Sequence, residues 1–260
     1  MKRIALGIEY DGSRYCGWQR QAHSPSVQET LETALAGIAD HPVTVTCAGR
    51  TDTGVHAVGQ VVHFDLQAER PHRAWLLGGN TRLPDDVSIV WARVVKEDFH
   101  ARFSAVSRCY RYVILNRSTP RALLARRVTW VYHALDVEPM AEAARFLLGE
   151  HDFSSFRAAG CQAKSPVRTV ESVAVTRSGD FVYLDIRANA FLHHMVRNMA
   201  GVLIDIGKGD RPVDWVPELL EKRDRKVGGV TAPPQGLYFA GVTYPRQHGI
   251  DVTPPAVVYG

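Results

Sequence analysis

Residues 43–65, VTVTCAGRTDTGVHAVGQVVHFD, contain two apolar runs separated by a polar loop. The runs at 43–47 and 60–65 are rich in β-branched residues and have the length of strands. The loop at 48–59 contains glycines, which allow positive φ angles and close approach of a ligand to the backbone. This stretch therefore predicts a pair of strands that present a loop suited to a binding or catalytic site.

Segments on both sides of this stretch alternate between strand and helix patterns. Further strands are predicted at residues 4–10, 87–95, 109–115, 170–176, 181–188 and 237–244. Helices are predicted at residues 27–38, 72–79, 137–148 and 192–206. Ser26 and Glu29 form a capping box before the first helix, although Ser24 and Pro25 could equally start it. Each half of the chain thus predicts an α+β arrangement of strands with two helices.

The composition of the chain excludes several classes of protein. Its 260 residues are enough for one large or two small globular domains. They are 45% hydrophobic and 22% charged, and this balance excludes a disordered chain. No stretch is long and apolar enough to predict a membrane span. Four widely spaced cysteines argue against zinc and against a disulfide scaffold, and fit reduced thiols in the cytoplasm.

Basic residues are concentrated in one part of the chain. Between Asp98 and Asp136 there is no acidic residue, but there are seven arginines. This stretch predicts either a basic face for a polyanion or an ordinary solvated surface. Within it, Tyr110 and Tyr112 flank Arg111, a pattern that suits stacking on RNA bases and equally suits packing on one face of a sheet.

The polar loop at 49–57 combines a cation, an acid and an imidazole, in Arg50, Asp52 and His56. This grouping favours a chemical role for Asp52 over a simple turn. Asp52, Thr53 and Gly54 also spell the aspartic protease signature, but such a protease needs two of these carboxylates and an all-β fold.

Motifs for metals and nucleotide cofactors are weak in this sequence. His193 and His194 are adjacent, so on a helix they point about 100° apart and would not share one metal ion. They are interpreted as a helix-surface or N-terminal-turn pair. The directions of the two histidines argue against a metal, and since no glycine-rich dinucleotide fingerprint occurs, a nucleotide cofactor is not expected either.

Six blocks of sequence, in order along the chain, resemble the tRNA pseudouridine synthase A family. They are YDGSRYCGWQ at 10–19, GRTDTGVHA at 49–57, FHARFSA at 99–105, RCYRY at 108–112, HDFSSFR at 151–157 and HHMVRN at 193–198. Several long blocks in register over residues 3–244 are far more specific than a single motif. One departure is Thr53, where the family commonly has alanine, and this concerns the fine positioning of the neighbouring carboxylate.

The resemblance implies a role for each of five residues. Asp52 is the implied catalytic carboxylate and Arg197 its basic partner, and Arg50 helps to extrude or hold the target nucleotide. Tyr110 is the implied stacking residue, which could also remove the C5 proton, and Leu237 lines the base pocket. Whether Asp52 attacks C1′ or C6, or first promotes elimination at C2′, stays open.

The resemblance also implies an architecture and a substrate. The expected fold is α+β, with two similar sub-domains whose mostly antiparallel sheets join around a central RNA-binding cleft. The sub-domains are expected at 1–104 and 105–245, followed by an irregular tail at 246–260. The expected protein is a cytoplasmic homodimer that acts without metal or cofactor on uridines 38, 39 and 40 of the tRNA anticodon stem-loop. A catalytically silent RNA-binding module of the same fold is the alternative, and the aspartic protease a remote one.

Overall fold

A computed structural model describes residues 2–66, 70–71, 73–250 and 257, and within them it contains ten strands and four α-helices. The strands are β1 (Lys2–Tyr10), β2 (Thr46–Cys47), β3 (His56–Leu66), β4 (Val87–Val95), β5 (Ser107–Asn116), β6 (Thr129–Val131), β7 (Gly149–Asp152), β8 (Val167–Ser178), β9 (Phe181–Ala188) and β10 (Leu237–Thr243). The helices are α1 (Val27–Ala39), α2 (Val137–Arg145), α3 (Met195–Gly207) and α4 (Trp215–Lys222). The fold class is α+β with mostly antiparallel strands, as predicted.

The chain divides into two compact units. The first comprises Met1–Ser107 with Tyr238–Val257, and the second comprises Arg108–Leu237. The sub-domain bounds inferred from the sequence stay a prediction. Most of the expected tail, residues 251–256 and 258–260, lies outside the described residues.

The first unit is built on β3, the longest strand of this unit. The strand order is β4-β1-β3-β10, and β2 also pairs with β3. The pairs of β1 with β3 and with β4 are antiparallel, whereas β10 runs parallel to β3. Ser26 is the N-cap of helix α1, and its Oγ accepts a hydrogen bond from the Glu29 N–H at 3.3 Å, so the helix starts at the predicted Ser26 and Glu29 pair.

The second unit has its own antiparallel strands. Their order is β5-β9-β8-β7, and the short strand β6 pairs in parallel with β5. The strands predicted at 170–176 and 181–188 are confirmed, and they form a hairpin, β8 and β9, with Gly179 at φ 52 in the turn. Helices α2, α3 and α4 belong to this unit, and most residues of α3 are buried.

Several predicted boundaries were wrong. Of the strand predicted at 43–47, only Thr46–Cys47 is a strand, and β3 begins at His56 rather than at Gln60. The helix predicted at 137–148 ends at Arg145. The helix predicted from residue 192 begins at Met195.

Other elements were missed or fall partly outside the described residues. Strands β6 and β7 and helix α4 were not predicted, because each is too short for a clear period. The helix predicted at 72–79 is described from residue 73 onward and contains a π-helical segment, Ala74–Gly78. Within the described ranges, every helix falls short of the length and apolarity that crossing a membrane requires.

Candidate active site

Asp52 occupies the first position of a tight turn between β2 and β3. The Val55 N–H donates to the Asp52 carbonyl at 3.1 Å, and Gly54 has a φ of 76°. A positive φ at the third residue is what a type II turn requires, and glycine adopts it without strain. The Asp52 side chain is half-buried. The turn therefore presents a carboxylate at the end of a strand pair, as the sequence predicted.

The segment from Gly12 to Trp18 holds this turn from one side. The Trp18 N–H donates to the Thr51 carbonyl at 3.0 Å, and the Gly54 N–H donates to the Tyr15 carbonyl at 3.4 Å. Gly17 has a φ of 94°, and a Cβ there would lie 2.7 Å from the Thr51 oxygen. The two loops approach so closely that only glycine fits. The backbone on both sides of Asp52 is thereby fixed.

Buried polar side chains support the loop from below. The Tyr10 hydroxyl and Thr51 Oγ1 are hydrogen-bonded at 2.8 Å. The Gln60 amide is fully buried: its nitrogen donates to the Gly49 carbonyl at 2.6 Å, and its oxygen accepts from the Gly49 N–H at 3.4 Å. Buried groups that are fully hydrogen-bonded favour one backbone arrangement over others. These contacts hold the chain in place just before Asp52.

His56 is a structural residue rather than an exposed member of the site. Its ring is 2% exposed and stacks on Tyr238 with centroids 4.7 Å apart. Its Nδ1 lies 3.1 Å from the Gly12 nitrogen and 3.2 Å from Asp11 Oδ1. Burial raises the pKa of Asp11, but the His56 ring and hydrogen bonds from Ser13 outweigh it and leave that pKa below its ordinary value. His56 therefore ties the end of β1 to the start of β3.

Arg50, in contrast, is exposed to solvent. Across the described ranges its guanidinium forms no hydrogen bond and no ion pair. Burial raises the pKa of the nearby Cys47 thiol to about 12, against the opposing positive charges of Arg50 and Arg102. Arg50 thus lies two residues before Asp52 with its guanidinium open to a phosphate.

In the second unit, the two tyrosines of the RCYRY block differ in their surroundings. The Tyr112 ring is buried, and its hydroxyl bonds with Thr129 Oγ1 at 2.6 Å and donates to the Pro233 carbonyl at 2.7 Å. Tyr110 is only half-buried and meets Phe191 edge-on, with centroids 4.9 Å apart. Tyr112 is therefore a core residue, whereas Tyr110 keeps part of its ring open.

Arg197 lies in the first turn of α3 and is half-buried. Its Nε donates to the Ala232 carbonyl at 2.9 Å, while the Ala232 N–H donates to the Arg197 carbonyl at 3.1 Å. This pair of bonds fixes the base of the arginine. His193 and His194 precede the helix, with His194 at φ 61 as its N-cap, which matches the predicted N-terminal-turn pair. Leu237 is buried at the first position of β10.

The arginines of the acid-free stretch are partly used within the fold. Arg111 forms two hydrogen bonds of 2.7 Å with the Asp185 carboxylate, and its guanidinium lies 4.9 Å from the Tyr183 ring centroid. Arg117 donates to the carbonyls of Thr119 and Pro120. The basic stretch of the sequence therefore overstates the charge available to a polyanion.

Two residues that hold the site, Gln60 and Gly17, were not predicted from the sequence. Gln60 could have been noticed as a polar residue beside the apolar run that follows it, since a polar group inside a strand needs a partner. The role of Gly17 has no comparable local signal, because its close neighbour is Thr51, far along the chain.

Comparison with known proteins places this geometry in context. The model of a family described as tRNA pseudouridine synthase matches residues 7–104 and 143–245. A tRNA pseudouridine synthase A of Hydrogenovibrio crunogenus is 58% identical over 246 residues, covering 95% of this chain and 94% of that protein. The enzyme of the same name from Pseudomonas aeruginosa is 60% identical over 248 residues, covering 95% and 87%. That of Glaesserella parasuis is 55% identical over 260 residues, covering 99% of both chains.

Proposed function

Because the chain belongs to the tRNA pseudouridine synthase family, we propose that Asp52 is the carboxylate that carries out its chemistry. The protein is an isomerase that converts uridine to pseudouridine in tRNA. The observation that carries the assignment of Asp52 is its turn, which is held by backbone contacts from the Gly12–Trp18 segment. A preorganised carboxylate loses little free energy to reorganisation during reaction.

The reaction needs an ionised carboxylate. The N1–C1′ bond of the nucleotide breaks, the uracil rotates, and a C5–C1′ bond forms. N1 gains a proton and C5 loses one, so the atoms balance without an oxidant or a reductant. Asp52 would act as a nucleophile or as a base at the sugar. Its half-buried position leaves one side open to a nucleotide.

Arg50 and Tyr110 are proposed to hold the extruded nucleotide. A paired uridine must leave the helix before reaction, at a cost of a few kcal/mol. The exposed guanidinium of Arg50 suits binding to an RNA phosphate, or filling the place that the extruded uridine leaves in the RNA helix. The partly open ring of Tyr110, braced edge-on by Phe191, suits stacking on a base. Tyr110 could also take the C5 proton late in the reaction.

Arg197 and Leu237 complete the proposed set. We assign Arg197 as the basic partner that keeps the catalytic carboxylate ionised, and the bonds to Ala232 are what position its side chain. Leu237 is proposed to line the base pocket as an apolar residue. For Arg197 the support is the match between its HHMVRN block and the family pattern, and for Leu237 it is the resemblance of the segment 236–238 to that pattern.

The substrate and the assembly are also proposals. The family resemblance supports uridines of the anticodon stem-loop as targets, a homodimer as the working form, and the cytoplasm as the compartment. Sedimentation velocity at several protein concentrations tests the dimer. The silent RNA-binding module and the aspartic protease are not favoured, because the similar proteins along the whole chain are synthases.

Tritium release from uridine C5 tests the proposed function directly. Unmodified tRNA tritiated at C5 is mixed with the wild-type protein, with Asp52→Asn, and with Asp85→Asn, which changes an exposed aspartate of the same unit. We expect release by the wild type and by Asp85→Asn, and none by Asp52→Asn. Release that persists in Asp52→Asn would show that the catalytic carboxylate is misassigned. No release by the wild type, with tight tRNA binding, would favour the RNA-binding module.

A further inference from the structure

An exposed phenylalanine stands out on the surface of the first unit. The Phe103 side chain is 76% exposed, whereas Phe99, four residues earlier in the same turn region, is fully buried. A large aromatic ring that remains in water loses the free energy that its burial would supply. Phe103 belongs to the FHARFSA block, but it has no role in the proposed catalytic set.

The turn that presents Phe103 is tightly held. The Ser104 N–H donates to the His100 carbonyl at 2.9 Å, and the His100 N–H donates back to Ser104 Oγ at 2.9 Å. His100 Nδ1 accepts the N–H groups of Arg102 and Phe103 at 3.2 and 3.1 Å. The backbone from 100 to 104 is thus bonded at both ends. The exposure of Phe103 is therefore a property of an ordered turn.

A buried layer anchors the same turn to the sheet. Ala101 is fully buried; its N–H donates to His63 Nδ1 at 3.1 Å, and its carbonyl accepts from the Tyr244 hydroxyl at 2.6 Å. Phe99 packs edge-on against Tyr244, with centroids 5.0 Å apart. The turn therefore stands on β3 and on the chain that follows β10.

One side of the Phe103 ring is supported and the rest is open. The His100 ring lies 4.4 Å away, centroid to centroid, at an interplanar angle of 32°. The Arg102 guanidinium carbon lies 5.6 Å from the Phe103 centroid. Because most of the side chain remains exposed, these neighbours leave room for another flat group.

Positive charge lies beside this open ring. Arg102 is exposed, and its charge acts on the Cys47 thiol together with that of Arg50. Both guanidinium charges therefore act on the end of β2 that carries Cys47. An exposed aromatic ring beside arginines is the arrangement that binds single-stranded nucleic acid, in which bases stack on rings and cations meet phosphates.

We propose that His100, Arg102 and Phe103 form a stacking platform for an unpaired nucleobase of the RNA, with Arg102 at the adjoining phosphate. This inference rests on the proposed function and adds a contact outside the catalytic set. The platform contributes to RNA binding and not to bond breaking. A second copy of this chain would be an alternative occupant of the ring, and the experiment separates the two.

Binding of unmodified tRNA tests the platform with four variants. Phe103→Leu keeps an apolar side chain but removes the π face, Phe103→Trp keeps the π face, and Tyr132→Ala removes a comparably exposed aromatic (59%) from the second unit. We expect Phe103→Leu to raise the Kd for tRNA by about 5-fold to about 150-fold, with Phe103→Trp and Tyr132→Ala close to wild type. Arg102→Gln should lower the slope of log K against log salt by about 0.7–0.9, whereas Phe103→Leu leaves that slope unchanged.

The outcomes distinguish the platform from the proposed function. Wild-type tRNA affinity in Phe103→Leu, or an equal loss in Tyr132→Ala, would overturn the platform. A changed sedimentation coefficient in Phe103→Leu with unchanged tRNA affinity would assign the ring to a second copy instead. Saturating tRNA should restore tritium release in Phe103→Leu. If the wild type itself releases no tritium, the proposed function fails, independently of the platform.

Discussion

Acidification is expected to destabilise the first unit through His63. Its buried imidazole accepts the Ala101 N–H at 3.1 Å, so the fold holds it in the neutral form. Burial, with Arg3 and His100 nearby, lowers the pKa of His63 to about 4. In the unfolded chain an imidazole has a pKa of about 6.5. Between these two pKa values, His63 binds a proton in the unfolded chain but not in the folded one. The contribution of neutral His63 to stability is therefore complete above pH of about 6.5 and is lost as the pH falls toward about 4.

The size of the effect follows from that difference in pKa. A difference of about 2.5 in pKa corresponds to about 3 kcal/mol of unfolding free energy, which changes by at most about 1.4 kcal/mol per pH unit. This is a large part of the stability of an ordinary domain. His63→Gln removes the titrating group while its amide oxygen can still accept a hydrogen bond. As the pH falls from about 6.5 to about 4, the wild type should therefore lose about 3 kcal/mol more unfolding free energy than His63→Gln does.

Urea unfolding followed by tryptophan fluorescence at a series of pH values measures this difference. Val62→Ala is the matched control, because it truncates a fully buried neighbour on β3 and adds or removes no titrating group. The loss of unfolding free energy that Val62→Ala causes should be the same at every pH. Parallel stability curves for wild type and His63→Gln from about pH 7 to about pH 4.5 would refute the reasoning.

Three further predictions concern the site and its supports. Arg197→Ala should lower kcat by about 100-fold or more while tRNA affinity changes little, if Arg197 has its proposed role as basic partner of the reacting carboxylate; unchanged turnover in a tritium-release assay would contradict this role. Gly17→Ala should lower both the urea midpoint and the activity by more than Gly209→Ala does. Both glycines have positive φ, but a Cβ meets backbone oxygen only at Gly17. Tyr112→Phe should cost about 1–3 kcal/mol in unfolding free energy, because it leaves buried hydrogen-bond partners unsatisfied; wild-type stability would contradict its place in the core.

Local pattern was sufficient for the longer elements and for the Asp52 loop. The start of α1 follows from Ser26 and Glu29, which act within a single turn of helix. The hairpin of β8 and β9 follows from two apolar runs around a turn with Gly179. The turn at Asp52 follows from the adjacent Gly54. Each of these signals depends on neighbouring residues, so the sequence contains it directly.

Burial and pairing of polar side chains required the tertiary structure. His56 and Arg50 lie in one polar loop, but one is buried under Tyr238 and the other is exposed. Arg111 belongs to a basic stretch, yet it is paired with Asp185, which is 74 residues away.

By itself, the sequence determined the fold class, the family and the loop that carries Asp52, because these depend on short-range periodicity and on contiguous blocks. The tertiary structure decided which of the polar and aromatic side chains support the fold and which face solvent. Tyr112 is a core residue, Gln60 is a buried residue that hydrogen-bonds the backbone, and Phe103 is an exposed ring on an ordered turn. The physical reason is that desolvation and hydrogen-bond satisfaction depend on partners that only folding brings together.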